Sequence, residues 1–506
     1  MSEALRLEDI ELSALKKLPY EFAKSNKMFL FKEDDERVYG VVCDENGVFA
    51  LKDVAKNLGK EISYRKLEEN ILVSLLNQAY SLVSSAETVM GEISGEDLKI
   101  FSSDAELPKD LLELKDEAPV IKLLNALLLE AVKERASDIH IEPYERELEV
   151  RFRVDGILKR LLTPPKIIHE ALISRIKILA NLDIAEKRLP QDGRIRVVVG
   201  GKDIDIRVSI IPTFFGERAV LRILDRMKGI MSLEELGLSD KKLERFSSIL
   251  TRSNGIILVT GPTGSGKTTT LYGSLLKIYS EEKNIITIED PVEYQIKGVG
   301  QIQVNPKINL TFAAGLRSIL RQDPDIIMVG EIRDRETAEI AVQASLTGHL
   351  VLSTLHTNDA PSALTRLLDM DIEPFLVASS LTGVLAQRLV RKNCSFCSQP
   401  VKLSVEEKEK LKALGYHNID VVYQGSGCPE CRGKGYLGRT GIFELLLVDE
   451  EIKNLIITKQ DARTIKEKAV ANGMGTLLDD GISKVKEGLT TLEEVLRVTN
   501  QDYAEL

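Results

Sequence analysis

Eight consecutive residues, Gly261-Pro262-Thr263-Gly264-Ser265-Gly266-Lys267-Thr268, carry the densest chemistry in the chain. Their types and spacing satisfy a phosphate-binding loop, in which successive backbone N–H groups curl around an anion. Glycine is needed there because the required dihedrals bring a Cβ into collision with the backbone. Lys267 is placed to neutralise phosphate charge, and the Thr268 hydroxyl to hold Mg²⁺. The apolar run Gly255 to Thr260 precedes the loop and reads as a strand buried on both faces. Thr268 to Tyr279 follows as a helix whose N-terminus faces the anion. A glycine-rich turn matching by accident would lack both flanks, so a nucleoside triphosphate site is expected.

Carboxylates end the next two apolar strands. Ile285 to Ile288 runs into Glu289, Asp290 and Glu293, and Asp325 to Val329 runs into Gly330-Glu331. Ligands bind beyond the carboxyl ends of parallel strands, so these acids are expected to hold hydrated Mg²⁺ or to polarise water. The alternative is a solvated acidic loop. Glu331 stands where a water-activating base belongs, without the Asp that usually precedes it. A further strand, Gly348 to Leu355, begins beside His349 and ends at His356, Thr357 and Asn358. His349 reads equally well as a structural residue, whereas His356 is better placed to sense a γ-phosphate.

Two further groups stand apart from the loop. Arg151, Arg153, Arg207, Arg218 and Arg222 alternate along short strands before it. One such arginine is a solvated strand face, but the concentration suits completion of a phosphate site. Cys394-x-x-Cys397 and Cys428-x-x-Cys431 give four thiolates that can close tetrahedrally on a structural Zn²⁺. A redox pair or chance spacing are the alternatives. Cys43 is read as a small apolar residue.

The elements that must position these groups form several domains. At about 150 residues each, 506 residues exceed one core. Residues 1–95 read as a small α/β docking module, with strands at Lys27 to Phe31 and Val38 to Val42 and a helical stretch from Ser63 to Val89. Residues 96–117 have the polar, acidic composition of a linker. Residues 118–226 read as an α+β, arginine-supplying domain: a helix with Val120, Leu123, Leu124, Leu127, Leu128 and Ala131 inward, then hairpins turning at Asp155-Gly156 and Gly200-Gly201. Ser232 to Glu235 is a capping-box start for a helix introducing the nucleotide core of 232–390. The tetracysteine module spans 391–441, and a helical region 442–506.

The chain carries 29% charged and 43% hydrophobic residues and a net charge of −10. The acidic balance and the lack of Trp speak against a nucleic-acid translocase, which would need a basic channel or stacking aromatics. Carboxylates placed as bases speak against a non-hydrolysing nucleotide switch. No run reaches the roughly 18 apolar residues of a membrane span. The N-terminus lacks a secretory signal pattern, so a cytoplasmic protein touching membranes peripherally is expected.

Taken together, GPTGSGKT, ITIEDPVEY, DPDIIMVGEIRD, TGHLVLSTLHTND, ASDIHIEP, the cysteine pairs and GYLGRTGIFELL resemble the secretion ATPase superfamily of traffic motors over nearly the whole chain. Within it the chain looks like the type II secretion ATPases, with type IV pilus assembly ATPases close by. The short first module with LPYEFAK favours the secretion form. The resemblance implies a RecA-like core that binds ATP, with Lys267 and Thr268 in its Walker A motif. It implies an aspartate box of Glu289, Asp290 and Glu293, of which Glu293 matters most, and an atypical Walker B ending at Glu331. It places His349 and His356 in a histidine box and brings Arg207 and Arg222 onto the nucleotide. It further implies a homo-hexamer on the cytoplasmic face of the inner membrane. The first domain would dock to a membrane-anchored secretion protein, and the zinc module would face the inner-membrane platform protein.

Overall fold

The computed structural model describes residues 9–15, 17–83, 119–199, 202–225, 230–417 and 419–499. Its contacts group into two compact units, Met1–Met227 and Lys228–Leu506. The linker expected over 96–117 and the Gly200-Gly201 turn lie outside the described residues.

In the first unit, β1 (Met28–Glu33) pairs antiparallel with β2 (Arg37–Val42), and β3 (Glu61–Lys66) joins β2 in parallel. A parallel neighbour needs a crossover, which the helix Glu45–Leu58 supplies. Asp44 opens that helix by accepting from the Gly47 N–H, and Gly59, at φ 68°, closes it. The helical stretch expected from Ser63 is corrected here: Ser63 to Lys66 lie in β3, and the helix is Glu69–Val83. β3 is an edge strand whose side chains are mostly exposed, so no apolar alternation marked it.

Further along the unit, the helix Pro119–Lys133 buries Leu123, Leu124, Leu127, Leu128 and Ala131 at the expected spacing. They share a core with Ile139, Ile141, Val150, Phe152 and Leu221 of an antiparallel sheet. That sheet contains β4 (Ala136–Pro143), β5 (Leu148–Val154), β6 (Ile157–Leu162), β7 (Gln191–Val199), β8 (Lys202–Thr213) and β9 (Gly216–Asp225), in the order β6-β5-β4-β9-β8-β7. Asp155 (φ 50°) and Gly156 (φ 86°) make the tight turn between β5 and β6, both in the left-handed region a two-residue hairpin requires.

The second unit opens on a turn where a helix is expected. Ser232 and Glu235 form both capping-box hydrogen bonds, yet only a turn follows. Gly237, at φ 96°, ends it, and the helix expected from Ser232 runs instead over Asp240–Leu250. The unit is built on a seven-stranded sheet of β10 (Gly255–Thr260), β11 (Ile285–Glu289), β12 (Gly300–Gln303), β13 (Ile326–Val329), β14 (Leu350–Leu355), β15 (Leu381–Asn393) and β18 (Tyr436–Leu447). The order is β12-β11-β13-β14-β10-β15-β18, parallel except for β18. Every residue of β10, β13 and β14 is buried, which is why these strands read as continuous apolar runs. Burial of each large apolar side chain contributes about 1.5–3 kcal/mol, so the strand ends hold their loops on a rigid base.

The cysteines lie between β15 and β18, in an insertion that also holds β16 (Ser398–Lys402), the helix Val405–Ala413 and β17 (Val421–Gly425). β15 runs through residue 390 and β18 through residue 441, so neither boundary expected there is a break in the sheet. Val390, Leu411, Val422, Ile442, Leu478 and Val495 share one core, and Ile452, Ile456 and Ile465 join the main core beside Val351 and Leu355. The last helices therefore belong to the same unit. Among the described residues no helix is long and apolar enough to cross a membrane.

Candidate active site

The phosphate loop leaves β10 at Thr260 and enters the helix Lys267–Ile278. Gly261, Gly264 and Gly266 have φ of 152°, 79° and 90°. A Cβ on Gly261 would stand 2.5 Å from the Gln387 carbonyl oxygen, and one on Gly266 would stand 2.8 Å from Gln387 Nε2. Conformation demands glycine at both positions, and at Gly261 the backbone carbonyl leaves no space for a Cβ either. Pro262, Thr263, Gly264 and Thr268 are exposed around the rim. The Ser265 hydroxyl is buried without a partner among the described residues, as an oxygen waiting for a phosphate would be. Lys267 is 8% exposed. Its Nζ donates to the carbonyls of Gly261 at 2.8 Å and Pro262 at 3.1 Å, curled back over the loop it serves. Burial pushes its ammonium down to about 8, with Arg388 adding to the effect and Glu331 opposing it.

Parallel strands bring the other groups to the same edge. Thr260 stands in register with Leu355, whose successor is His356, and β13 delivers Glu331 between them and β11. His356 Nε2 lies 3.6 Å from Glu331 Oε2, and Arg333 donates to Glu331 Oε1 at 2.5 Å. Arg333 also approaches Asp290 at 3.9 Å. Partial burial, then the charge of Lys267, hold His356 below the usual histidine range. Lys267, Glu331, His356 and Asp290 are therefore gathered at one strand edge, and Glu293 is half-buried on the loop beyond β11.

Two expected residues do not join them. Glu289 is 2% exposed, and its carboxylate is turned inward. It accepts from Tyr272 Oη, from Thr287 Oγ1 at 2.5 Å and from Gln301 Nε2 at 3.0 Å, which engages it as an internal acceptor. His349 precedes β14, at the amino end of the sheet, where its backbone carbonyl accepts from the Gly255 N–H. The loop leaves the opposite end, six strand residues away, so roughly 20 Å separate them. The His349 ring donates from Nδ1 to the Ala344 carbonyl at 2.8 Å and closes the preceding helix.

The arginines of the first unit form a rung. Arg153, Asp138, Arg222, Arg207 and Arg194 are successive register partners across β5, β4, β9, β8 and β7. Asp138, 5% exposed, accepts from Arg222 Nε at 2.9 Å and lies 3.7 Å from Arg153. Four residues along β4, Glu142 is 3% exposed and pairs with Arg151 and Arg218, each at 2.5 Å. Two buried carboxylates thus organise the arginines, while Glu149 approaches Arg151 at 3.7 Å and Asp205 approaches Arg194 at 4.0 Å.

The four cysteines converge. Their Sγ atoms all lie within 4.8 Å of one another, with 3.7 Å between Cys394 and Cys428 and 3.8 Å between Cys397 and Cys431. Tetrahedral Zn²⁺ with ligands at ~2.3 Å sets an S···S edge of ~3.8 Å, so the donor set fits that ion. Cys431 Sγ also accepts N–H groups of Cys428 and Gly435 at 3.2 Å each. Burial opposes its ionisation, but those donors outweigh it and bring the thiol down to about 6.

A family model described as Type II/IV secretion system protein matches residues 113–497. The chain belongs to that family. It is 48% identical over 495 residues to the Type II secretion system ATPase E of Vibrio cholerae serotype O1, covering 97% of this chain and 98% of the relative. It is 43% identical to the Type IV pilus assembly ATPase PilB of Myxococcus xanthus, covering 98% and 88%. Among solved structures it resembles the ADP-bound pilus retraction motor PilT, with a TM-score of 0.50, 30% identity and coverage of 74% of this chain and 95% of that one.

This secretion ATPase is an ATP-hydrolysing enzyme, and further polar residues brace the elements around its site. Gln387 on β15 underlies the loop, its Oε1 accepting from Thr270 Oγ1 at 2.6 Å. Thr357 locks the end of β14 to β10 through the Thr260 hydroxyl at 2.7 Å. Glu444, 1% exposed, accepts the first N–H of two helices, from Ala360 at 2.9 Å and Leu477 at 3.3 Å, and burial pushes it up to about 7. For Gln387 and Glu444 the only sequence signal was a polar residue within an apolar strand, which suggests a buried partner without naming it, whereas Thr357 stood in plain view past the end of β14.

Proposed function

We propose that this secretion ATPase is a homo-hexameric motor on the cytoplasmic face of the inner membrane, using ATP hydrolysis to drive pseudopilus assembly and protein export in type II secretion. The observation that carries this reading is the gathering of Lys267, Glu331 and His356 at one strand edge, in a chain that matches the Vibrio cholerae ATPase E almost end to end. The amides of Gly261 to Thr268 cradle the phosphates, and Lys267 turns from the loop carbonyls to the phosphate oxygens. Glu331 accepts the proton of the attacking water, while His356 reads the γ-phosphate beside it. Bound Mg²⁺ supplies neutralisation of phosphate charge, and Thr268, Asp290 and Glu293 are the residues that would hold it. Arg207 and Arg222 supply further positive charge to the transition state.

Zn²⁺ held by Cys394, Cys397, Cys428 and Cys431 would close the insertion as a structural site, on the face offered to the platform protein. Residues 1–95, joined to the rest of the chain by the 96–117 linker, would dock to a membrane-anchored secretion protein. The net charge of −10 supports protein partners over nucleic acid. The alternative, pilus assembly, draws on the 43% identity to PilB. Deleting the gene and restoring it as wild type or as Lys267→Ala separates them. Export lost with surface pili intact supports secretion; pili lost with export intact supports the alternative.

A further inference from the structure

Tyr272 is fully buried on the helix Lys267–Ile278, five residues beyond Lys267 and so about 7.5 Å along the axis. Its hydroxyl donates to Glu289 Oε2 and accepts the N–H groups of Glu293 at 3.1 Å and Tyr294 at 3.4 Å. Glu289 is fixed in turn by Thr287 and by Gln301. Gln301 also holds the same loop, donating to the Tyr294 carbonyl at 2.9 Å and accepting the Ile296 N–H at 2.8 Å. The rings of Tyr272 and Tyr294 meet edge to face, 5.9 Å between centroids. Burial first, then the bond to Glu289, hold the phenol well above the usual tyrosine range, so it remains the donor toward Glu289.

We propose that Tyr272 is a positioning residue for Glu293, tying the helix that bears Lys267 and Thr268 to the loop that bears this acid. The phosphates fix the start of that helix; the Tyr272 hydroxyl transmits the reference to the backbone of Glu293, and Glu289 anchors the hydroxyl from behind. The inference rests on the reading that Glu293 acts at the nucleotide.

The full-length chain tests it, as Tyr272→Phe, Glu293→Gln and the double variant. Tyr272→Phe is expected to lower kcat about ten- to a hundredfold, with KM and the affinity for a non-hydrolysable ATP analogue changed by less than about twofold. The double variant is expected to be no slower than Glu293→Gln alone. Loosened helix packing would instead weaken nucleotide binding, because Lys267 and Thr268 share that helix, and its effect would multiply with that of Glu293→Gln. Glu289→Gln, which disturbs the anchor from the other side, should reproduce the loss in kcat alone and guards against a folding defect in Tyr272→Phe. The proposal is overturned by a near-normal kcat in Tyr272→Phe beside an impaired Glu293→Gln, or by a multiplicative double variant. A near-normal kcat in Glu293→Gln itself removes the premise, and with it the inference. That failure is read with Tyr272 intact, so the two are distinct.

Discussion

Arg207 on β8 and Arg222 on β9 stand directly opposite one another in an antiparallel ladder, two cations sharing one rung. Like charges so placed are unfavourable unless an anion joins them. Asp138 partly compensates Arg222 and Asp205 approaches Arg194 at 4.0 Å, so the rung carries four arginines against these two aspartates.

Replacing either arginine by alanine should therefore cut ATP turnover by about 10³ in the full-length chain, in line with the loss of an arginine that stabilises the transferring phosphoryl group. Nucleotide affinity should change little. Arg222→Ala should also lower stability by about 1 kcal/mol, because Asp138 keeps only Ser137 and the more distant Arg153, and the lost guanidinium was mostly exposed. Steady-state kinetics and a thermal melt read these separately; unchanged turnover in both variants would remove them from the reaction.

Glu331→Gln should retain ATP binding and lose turnover by about 10²–10⁴. The amide keeps the shape beside Arg333 and His356 but cannot take a proton from water. Measured phosphate release close to wild type would exclude Glu331 as the base.

Lys267 gives the site a pH dependence. Burial depresses its ammonium to about 8 in the free protein, and a bound phosphate favours the charged form, so its pKa rises on binding. Affinity is thus fully present below pH ~8 and declines as the pH rises through that value, by up to about tenfold per unit. Titration with ADP between about pH 7 and 10 should show this slope, and Lys267→Ala should bind weakly without it. A wild-type profile flat across that range would contradict the assignment.

Elemental analysis of the purified chain should find one Zn²⁺ per subunit. Cys397→Ser should release it and lower the melting temperature, because metal binding and folding of the insertion are coupled. Lys267 and Glu331 stand on other elements of the unit, so analogue binding should persist. Zinc-free wild type would defeat the tetracysteine reading.

Much of the site was legible because its strands are buried on both faces. Gly255 to Thr260, Ile326 to Val329 and Leu350 to Leu355 admit few polar residues, so each carboxylate, lysine or histidine just past a strand end stood out. Edge elements gave no such contrast: β3 was read as helix, and the capping box at Ser232 promised a helix that Gly237 ends after one turn. The insertion's cysteine spacing was plain, but the return of β18 to the main sheet was not, since pairing with β15 is a contact between segments some fifty residues apart.

By itself, the order of residues determined that a phosphate loop follows a buried strand, that acids end the neighbouring strands and that two cysteine pairs frame an insertion. These are local patterns, fixed by backbone dihedrals, strand burial and ligand spacing. Only the tertiary structure decided which side chains share an end of the sheet. Glu289 and Glu331 both sit at strand ends, yet hydrogen bonds from Tyr272, Thr287 and Gln301 turn one inward while the other meets His356. His349 and His356 are seven residues apart, and a single strand's rise carries them to opposite ends of the sheet.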